Sequence, residues 1–449
     1  MLYQVVMALV LGLLGPILLL QRGAHYRSVL PARLGRRWPP PPPPDAAGRG
    51  PLWIHAVSVG EVGVAATLVD ALPADLPLLV TTVTPTGQRQ AQRAFGARPS
   101  TVVTYLPFEL APLVTRFVDR FAPRALVLIE GDYLPLVLRA MHQRQRPTVV
   151  VNGRVSERSF ARMRPVADDW PRTFAVLGLG RISHFGMQTD ADAERLRALG
   201  VDSARVTVTG NLKYDGAAPD VPPALAALVR RCAAGRSILL AGSTMAGEEA
   251  ILLDAFQRIG AARALLAIAP RHPERWDAVA QQIEARGFSL ARRSAIDAEA
   301  AMQRGDAPAT ADDAPDVLLL DSLGELAALY GVADIAFVGG TLGATGGHNP
   351  IEPARFGRPI VVGPSMHNFR EIADAFTAAD AWVQLAADDA DAAIDALASR
   401  WRAWLDAPAE AAAVGARARG LIDDNRGAAA RSCAQLRSLW ADPGAGATA

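Results

Sequence analysis

Apolar residues in this chain occur in short continuous runs rather than alternating with polar residues. In the first half these runs cover residues 52–57, 78–83, 101–106, 125–129, 148–152 and 175–179. Each is followed by a stretch with helical spacing or by a Ser, Thr, Asp or Pro that can start a helix. Continuous apolarity predicts strands that are buried on both faces, and therefore a parallel sheet covered by helices.

The same pattern restarts after Asn211. Further apolar runs cover residues 238–241, 265–269, 317–320, 335–338 and 359–362. The break at 214–223 predicts two successive doubly wound, Rossmann-like α/β domains that face each other across a cleft. Ala- and Arg-rich helices over 389–440 are expected to pack against this frame.

The amino-terminal segment differs from the rest of the chain. Residues 2–20 are almost wholly apolar and arginines follow them, beginning with Arg22. About 20 residues span a bilayer, and positive charge after the apolar run places the body on the cytoplasmic side. We therefore expect a single anchor in the cell inner membrane, although an amphipathic or buried helix stays open as an alternative. The predicted division is an anchor over 1–22, a basic and proline-rich linker over 23–50, and domains over 51–215 and 223–449, with the last helices able to pack back on the first domain.

Composition excludes several classes of protein. The chain has 449 residues, with 46 Lys and Arg against 45 Asp and Glu. Its net charge is therefore too small to produce an electrostatic field that would favour binding to nucleic acid. The two cysteines, Cys232 and Cys433, lie far apart without metal-ligand spacing and are expected to be buried or inert. The acidic stretch 298–315, with Asp306, Asp312 and Asp313, is interpreted as a solvated insertion. We predict neither a metal site nor a cofactor.

A candidate ligand site in the second half follows the run 335–338. Asn349, Pro350 and Glu352 have the order of a helix cap, a first-turn proline and a third-position acid. Glycines before them, including Gly346 and Gly347, let backbone approach a ligand, and free helix N–H groups favour phosphate. A capped helix after a flexible loop would give the same pattern.

Three other strand ends of the second half carry polar residues. Ser243 follows one run, Arg271 follows the next, and Asn368 lies in the loop after the last. Carboxyl ends of parallel strands share one edge, and a guanidinium there suits bidentate phosphate contact. Together these loops predict a nucleotide site.

The first half offers a candidate base. Glu61 follows the run 52–57 and a Ser-Val-Gly turn, where a carboxylate can also merely compensate the helix dipole. Other polar strand ends accompany it, at Glu130, Asp132, Arg154 and Lys213. A deprotonating Glu opposite a phosphate-bearing ligand is what glycosyl transfer needs.

Residues 53–385 resemble the 3-deoxy-D-manno-octulosonic acid (Kdo) transferases, which assemble lipopolysaccharide and have a GT-B fold. The matching segments are 53–61, 84–87, 105–108, 152–159, 210–215, 241–244, 269–275 and 346–353. The resemblance implies an inner-membrane enzyme that moves Kdo from CMP-Kdo to a tetraacylated, phosphorylated lipid A precursor, lipid IVA. It further implies inversion at the anomeric carbon, an N-terminal anchor helix and no metal ion.

The resemblance also assigns roles to residues. Glu61 is implied as the catalytic base, Arg271 with amides near Ser243 and Asn349 as the CMP phosphate site, and Glu352 as an acceptor for ribose hydroxyls. Gly346, Gly347 and Asn368 complete the expected donor site. Glu130, Asp132, Arg154 and Lys213 are candidate contacts to the acceptor or to sugar anions.

The chain departs from the family in two places. The family usually has Glu-Thr-Glu-Leu-Trp-Pro where this chain has Glu130-Gly131-Asp132-Tyr133-Leu134-Pro135, and His where it has Met245. The first departure leaves the acceptor and the number of Kdo residues open. Two other hypotheses remain: a GT-B transferase or epimerase that uses a UDP-sugar, and an inactive membrane-tethered protein that binds a nucleotide sugar.

Overall fold

The computed structural model describes residues 29–169, 178–296, 314–387 and 389–440. The chain forms two compact units. The first comprises the residues up to Gly216 together with those from Asn425 onward, and the second comprises Ala217–Asp424.

The first unit contains a seven-stranded parallel sheet of order β3-β2-β1-β4-β5-β6-β7. Its strands are β1 Leu52–His55, β2 Leu78–Thr82, β3 Thr101–Tyr105, β4 Ala125–Ile129, β5 Thr148–Gly153, β6 His184–Met187 and β7 Val206–Val208. Its helices are α1 Leu30–Arg33, α2 Val59–Asp70, α3 Pro85–Phe95, α4 Ala111–Phe121, α5 Pro135–Gln143, α6 Glu157–Asp169, α7 Asp190–Ala198 and, from the end of the chain, α16 Ala428–Trp440.

The second unit repeats this architecture with the strand order β10-β11-β9-β8-β12-β13-β14. Its strands are β8 Ser237–Thr244, β9 Ala264–Pro270, β10 Leu290–Arg292, β11 Val317–Leu319, β12 Ile335–Val338, β13 Ile360–Val362 and β14 Val383–Gln384. Its helices are α8 Pro223–Ala233, α9 Glu248–Ile259, α10 Trp276–Ala285, α11 Leu326–Leu329, α12 Ile351–Ala354, α13 Arg370–Ala378, α14 Ala390–Asp406 and α15 Pro408–Asp424.

Burial explains why the apolar runs form these sheets. Strands β1, β2, β4 and β12 are buried at every position, whereas the edge strands β3 and β10 are largely half-buried. The continuous apolarity therefore marks central strands with helices on both faces.

Each sheet has one point at which the chain reverses its direction of winding. In the first unit this point lies between β1 and β4, and in the second it lies between β8 and β12. Loops diverge there, which opens a crevice at the carboxyl ends of the two strands. The residues after these four strands are therefore the ones positioned to bind a ligand.

The prediction of two parallel α/β domains is confirmed, with differences at the edges. The strand predicted at 175–179 is wrong in its described part, because Leu179 begins a 3₁₀ turn, Leu179–Arg181, and the strand follows as β6. Strands β7, β10 and β14 have two or three residues each, too few for an apolar run to stand out. Both cysteines are free and buried, as expected.

The predicted localisation, a single N-terminal anchor at the cytoplasmic face of the inner membrane, is corrected. Among the described residues, no helix is long and apolar enough to cross a bilayer. The longest helices of the described ranges, α14 and α15, have 17 residues each, fewer than the roughly 20 a span requires, and both carry charged residues. The apolar run over 2–20 lies outside the described residues, and so does the acidic stretch 298–315 except for its last two residues.

Candidate functional site

Glu61 lies in the first turn of α2, directly after β1. The Ser58 side chain caps this helix by accepting from the Glu61 N–H at 3.4 Å, and its hydroxyl donates to Glu61 Oε1 at 3.0 Å. Glu61 Oε2 accepts from the Val57 N–H at 2.7 Å. This reciprocal capping holds the carboxylate at the reversal point of the first sheet.

The surroundings of Glu61 favour its protonated form. Burial raises the pKa of Glu61, the hydrogen bonds from Val57 and Ser58 lower it in part, and the charges of Asp132 and Glu130 raise it further. Burial and Glu130 likewise raise the pKa of Asp132. Glu61, Glu130 and Asp132 thus form one group of interacting carboxylates, contributed by the ends of β1 and β4.

Glu130 connects this group to Asn152 in β5 and to Lys213, after β7. Its Oε1 lies 3.0 Å from Lys213 Nζ and 3.4 Å from Asn152 Nδ2. Glu130 and Asn152 both have positive φ, at 61° and 60°, a conformation that costs energy in residues with a side chain. The Asn152 side chain also accepts from the Leu212 N–H at 2.8 Å, which fixes the backbone beside Lys213.

The C-terminal helix α16 secures the same loop. Asp215 accepts hydrogen bonds from the N–H groups of Gly427, at 2.8 Å, and Ala429. Arg431 Nε donates to Thr209 O at 2.8 Å. Residues 209–215, which include Lys213, are therefore tied to the last helix. Asp215 was not among the predicted site residues, since its partners lie more than 200 positions away in sequence.

The remaining first-unit candidate, Arg154, follows β5 and is exposed. Its backbone N–H contacts Glu130 O at 3.4 Å. His55, in contrast, points into the sheet: its Nδ1 lies 2.8 Å from Thr81 Oγ1, and burial lowers its pKa to about 4. This histidine is a neutral core residue.

In the second unit, the ends of β8 and β12 approach closely. A side chain at Gly339 would place its Cβ 2.4 Å from Ser243 O, and Ser243 itself has a φ of 56°. Gly346 has a φ of 92°, and a Cβ there would lie 2.4 Å from His367 Nε2. Asn368 supports the glycine loop, residues 339–347, because its N–H donates to Gly346 O at 2.9 Å and its Nδ2 to Thr345 O at 2.7 Å.

Glu248 holds the start of the glycine loop through hydrogen bonds and was missed by sequence reasoning. Its carboxylate accepts from the N–H groups of Gly340 at 2.7 Å, Thr341 at 2.8 Å and Leu342 at 2.9 Å, and from Met245 at 2.8 Å. These amides are therefore satisfied within the protein. The available signal was the Glu-Glu pair that opens α9 just after β8.

Two arginines follow β9, and they differ in their contacts: Arg275 pairs with Glu249, whereas Arg271 does not. Glu249 is fully buried and pairs with Arg275 through both oxygens, at 2.8 and 2.7 Å, while Thr244 Oγ1 donates to it at 2.8 Å. Arg275 therefore has a structural partner. Arg271 is exposed, and the described residues give its side chain no hydrogen bond or ion pair.

The Asn349 and Glu352 pair forms largely as predicted. Asn349 Oδ1 accepts from the Ile351 N–H at 3.1 Å, and its Nδ2 donates to Glu352 Oε1 at 3.3 Å. The cap position itself is taken by Pro350, one residue later than expected. Burial raises the pKa of Glu352, and Asn349, Arg355 and Arg271 partly offset this.

His348 is a further residue that the sequence reasoning did not select. Its Nε2 is buried without a hydrogen-bond partner in the described part of the chain. Burial lowers the pKa of His348 to about 4, with Arg271 and His272 contributing. It is therefore a neutral imidazole with an unused nitrogen near Arg271. Among the described residues, no group of His, Cys, Asp or Glu could hold a metal ion.

Comparison with known proteins identifies the family. Residues 29–216 match the family model described as 3-deoxy-D-manno-octulosonic-acid transferase (kdotransferase). The chain is 36% identical over 383 residues to the 3-deoxy-D-manno-octulosonic acid transferase of Bordetella pertussis, covering 83% of this chain and 84% of that protein. The chain belongs to the Kdo transferase family. A second Kdo transferase, from Haemophilus influenzae, is 34% identical over 327 residues, 72% of each chain.

Solved structures agree on the fold of this Kdo transferase. Anabaena HepE in complex with UDP has a TM-score of 0.54 at 13% identity and covers 87% of this chain and 99% of its own. The UDP-GlcNAc 2-epimerase of Neisseria meningitidis has a TM-score of 0.54 at 11% identity, with 86% and 99% covered. At these identities the likeness shows the two-domain GT-B type of fold and nothing about the substrate.

Proposed function

We propose that this Kdo transferase moves Kdo from CMP-Kdo to a hydroxyl of a phosphorylated lipid A precursor, with inversion, and that Glu61 is the general base. The observation that carries the proposal is the capped, half-buried Glu61 at a sheet reversal point, in a chain 36% identical to a Kdo transferase.

The chemistry assigned to Glu61 is one proton transfer. Its carboxylate takes the proton of the acceptor hydroxyl as that oxygen forms a bond to the anomeric carbon of Kdo. The bond between that carbon and the phosphate oxygen breaks, and the electron pair leaves with CMP. Because burial and neighbouring carboxylates raise the pKa of Glu61, it is a stronger base than an exposed Glu.

Lys213 and Glu130 are assigned to the acceptor side of this reaction. The ammonium of Lys213 pairs with Glu130, one of three neighbouring carboxylates, and is a candidate contact for an anionic group of the acceptor or of Kdo. Arg154 and Asp132 belong to the same group of strand ends. Asp132 is one methylene shorter than the usual family residue, and this departure leaves open which acceptor is used and how many Kdo residues are added.

The donor is assigned to the crevice of the second unit. Arg271 is exposed and without a side-chain partner in the described residues, which suits contact with the CMP phosphate. Gly346 and Gly347, with Ser243, let backbone come close to the nucleotide. Glu352 and Asn349 are assigned to ribose hydroxyls, and the unpartnered Nε2 of His348 is a further polar group for the donor.

A direct assay tests the proposal. Purified protein is incubated with lipid A precursor and a system that generates CMP-Kdo, and the lipid is analysed by mass spectrometry. The account predicts lipid heavier by one or more Kdo residues, and the mass gives their number. Unmodified lipid, from protein that still binds CMP, would contradict it.

A further inference from the structure

A cavity of about 490 Å³ in the first unit is formed by α4 and the segment 35–38. It is lined by Gly35, Arg36, Trp38, Arg116, Asp119 and Arg120. Its volume lies in the range of ordinary small-ligand pockets, roughly 300 to 1,000 Å³. None of these residues belongs to the strand ends discussed above.

The walls of this cavity are held in place by packing. Trp38 stands edge-on against Phe117, with ring centroids 5.1 Å apart. Gly35 has a φ of 74°, and a Cβ there would approach Trp38 Cη2 to 3.0 Å, so the turn into Trp38 requires glycine. Arg120 Nη2 donates to Pro39 O at 3.1 Å, which joins α4 to the segment after Trp38.

The cavity carries an excess of positive charge. Arg36, Arg116 and Arg120 have no ion pair with a carboxylate in the described residues, whereas the carboxylate of Asp119 pairs with Arg144 at 2.7 Å. The Arg116 guanidinium lies over the Trp38 ring, 5.9 Å from its centroid. Three unbalanced guanidinium groups around one cavity are unexpected in a chain whose net charge is +1.

The two cavity arginines of α4 lie away from the carboxylate group in the fold. Arg116 and Arg120 lie in the second half of α4, and α4 ends at Phe121, shortly before β4 begins at Ala125. That half of the helix therefore lies toward the amino ends of the strands. Glu61 and Glu130 follow the carboxyl ends of β1 and β4, at the opposite edge of the sheet.

We propose that this cavity binds the phosphoryl group of a phosphorylated ligand at a site separate from the transferase crevices. Guanidinium groups match phosphate oxygens in pairs of parallel hydrogen bonds, and several converging on one cavity favour a dianion. The proposal stands on the cavity and its charges and does not rest on the proposed function. A soluble phosphate ester and a lipid headgroup carry the same chemistry.

Binding to the full chain tests the site. Titration calorimetry with inorganic phosphate and with glucose 1-phosphate, in saturating CMP, measures the soluble source. Flotation with phosphatidylglycerol vesicles, against phosphatidylcholine vesicles, measures the lipid source. The variants are Arg116→Gln and Arg120→Gln, and the matched control is Arg139→Gln, an exposed arginine outside the cavity.

The expected result is that the unaltered protein binds in at least one arm. This binding should weaken about tenfold in Arg116→Gln and in Arg120→Gln, because each loses a charged hydrogen bond. It should be unchanged in Arg139→Gln. Circular dichroism of each variant checks that it is folded. No binding in any arm overturns the proposal. Equal weakening in Arg139→Gln also overturns it, because the affinity would then belong to surface charge in general.

Discussion

The ammonium nitrogen of Lys213 lies 3.0 Å from Oε1 of Glu130. The two residues are 83 positions apart in sequence, and the fold brings them together at the carboxyl ends of the first sheet. The pair is about one-third exposed, so water screens it and its worth for stability is modest. The main effect of the pair is electrostatic, because the positive charge of Lys213 offsets the negative charge of Glu130, which raises the pKa of Glu61.

Removing the positive charge of Lys213 should therefore change the pH dependence of the reaction. In Lys213→Met the charge of Glu130 is no longer offset, so the pKa of Glu61 should rise further. The acid limb of kcat/KM should move to higher pH, while Lys213→Arg, which keeps the charge, should leave it near its original position. An acid limb that is the same in Met and Arg variants would show that Lys213 does not act on the base.

Replacing Asp132 should have the opposite effect. The charge of Asp132 raises the pKa of Glu61, so Asp132→Asn should lower that pKa and move the acid limb to lower pH. Asp132→Glu keeps the charge and serves as the control. The measurement is the same pH profile, and a shift to higher pH in Asp132→Asn would contradict the assignment.

The raised pKa of Glu61 also predicts a stability effect. The folded state favours the protonated acid, so this contribution is present below the unfolded pKa and is lost as pH rises through the folded value. Glu61→Gln, which is neutral throughout, should lose less stability over that interval than the unaltered protein. Urea denaturation at a series of pH values measures the difference. Parallel curves for the two proteins would mean that Glu61 titrates normally.

Glu248 should matter for the donor crevice through its hold on the glycine loop. The buried carboxylate of Glu248 accepts hydrogen bonds from four N–H groups. In Glu248→Gln an amide NH₂ group replaces one of its oxygens and cannot accept, so the free energy of unfolding should fall by about 1 to 3 kcal/mol. Glu284→Gln, an exposed change in the same unit, should cost less than about 0.5 kcal/mol. CMP binding should weaken only in the first variant. Equal costs in urea denaturation would remove Glu248 from this role.

The choice of nucleotide separates this account from a UDP-sugar enzyme. CMP should raise the melting temperature through binding to the native state, and UDP at equal concentration should raise it less. Arg271→Gln should abolish the CMP effect, whereas Arg230→Gln, an exposed arginine on α8, should retain it. A larger stabilisation by UDP would favour the alternative.

Sequence reasoning found the central strands other than β6, because burial on both faces leaves a continuous apolar run. It located β4 and β12 to the residue, and it found the polar strand ends because parallel strands share one carboxyl edge. It could not find β7 or β14, which are short and lie at sheet edges with half-exposed faces.

The residues that hold the site were harder to predict than the residues that form it. Glu248 looks like an ordinary first-turn acid until the loop that it binds, more than 90 positions later, is placed beside it. Asp215 and Arg431 likewise act through partners more than 200 positions away in sequence. His348 was visible in the sequence, but its burial and unused nitrogen were not.

The role of Glu61 is tested most directly by the turnover of Glu61→Gln with CMP-Kdo and lipid A precursor. Glu194→Gln, an exposed change in the same unit, is the control, and stabilisation by CMP is measured alongside. Loss of a general base predicts a fall in kcat of about 10²- to 10⁴-fold with the CMP effect retained. Turnover in Glu61→Gln equal to that of Glu194→Gln would contradict the account.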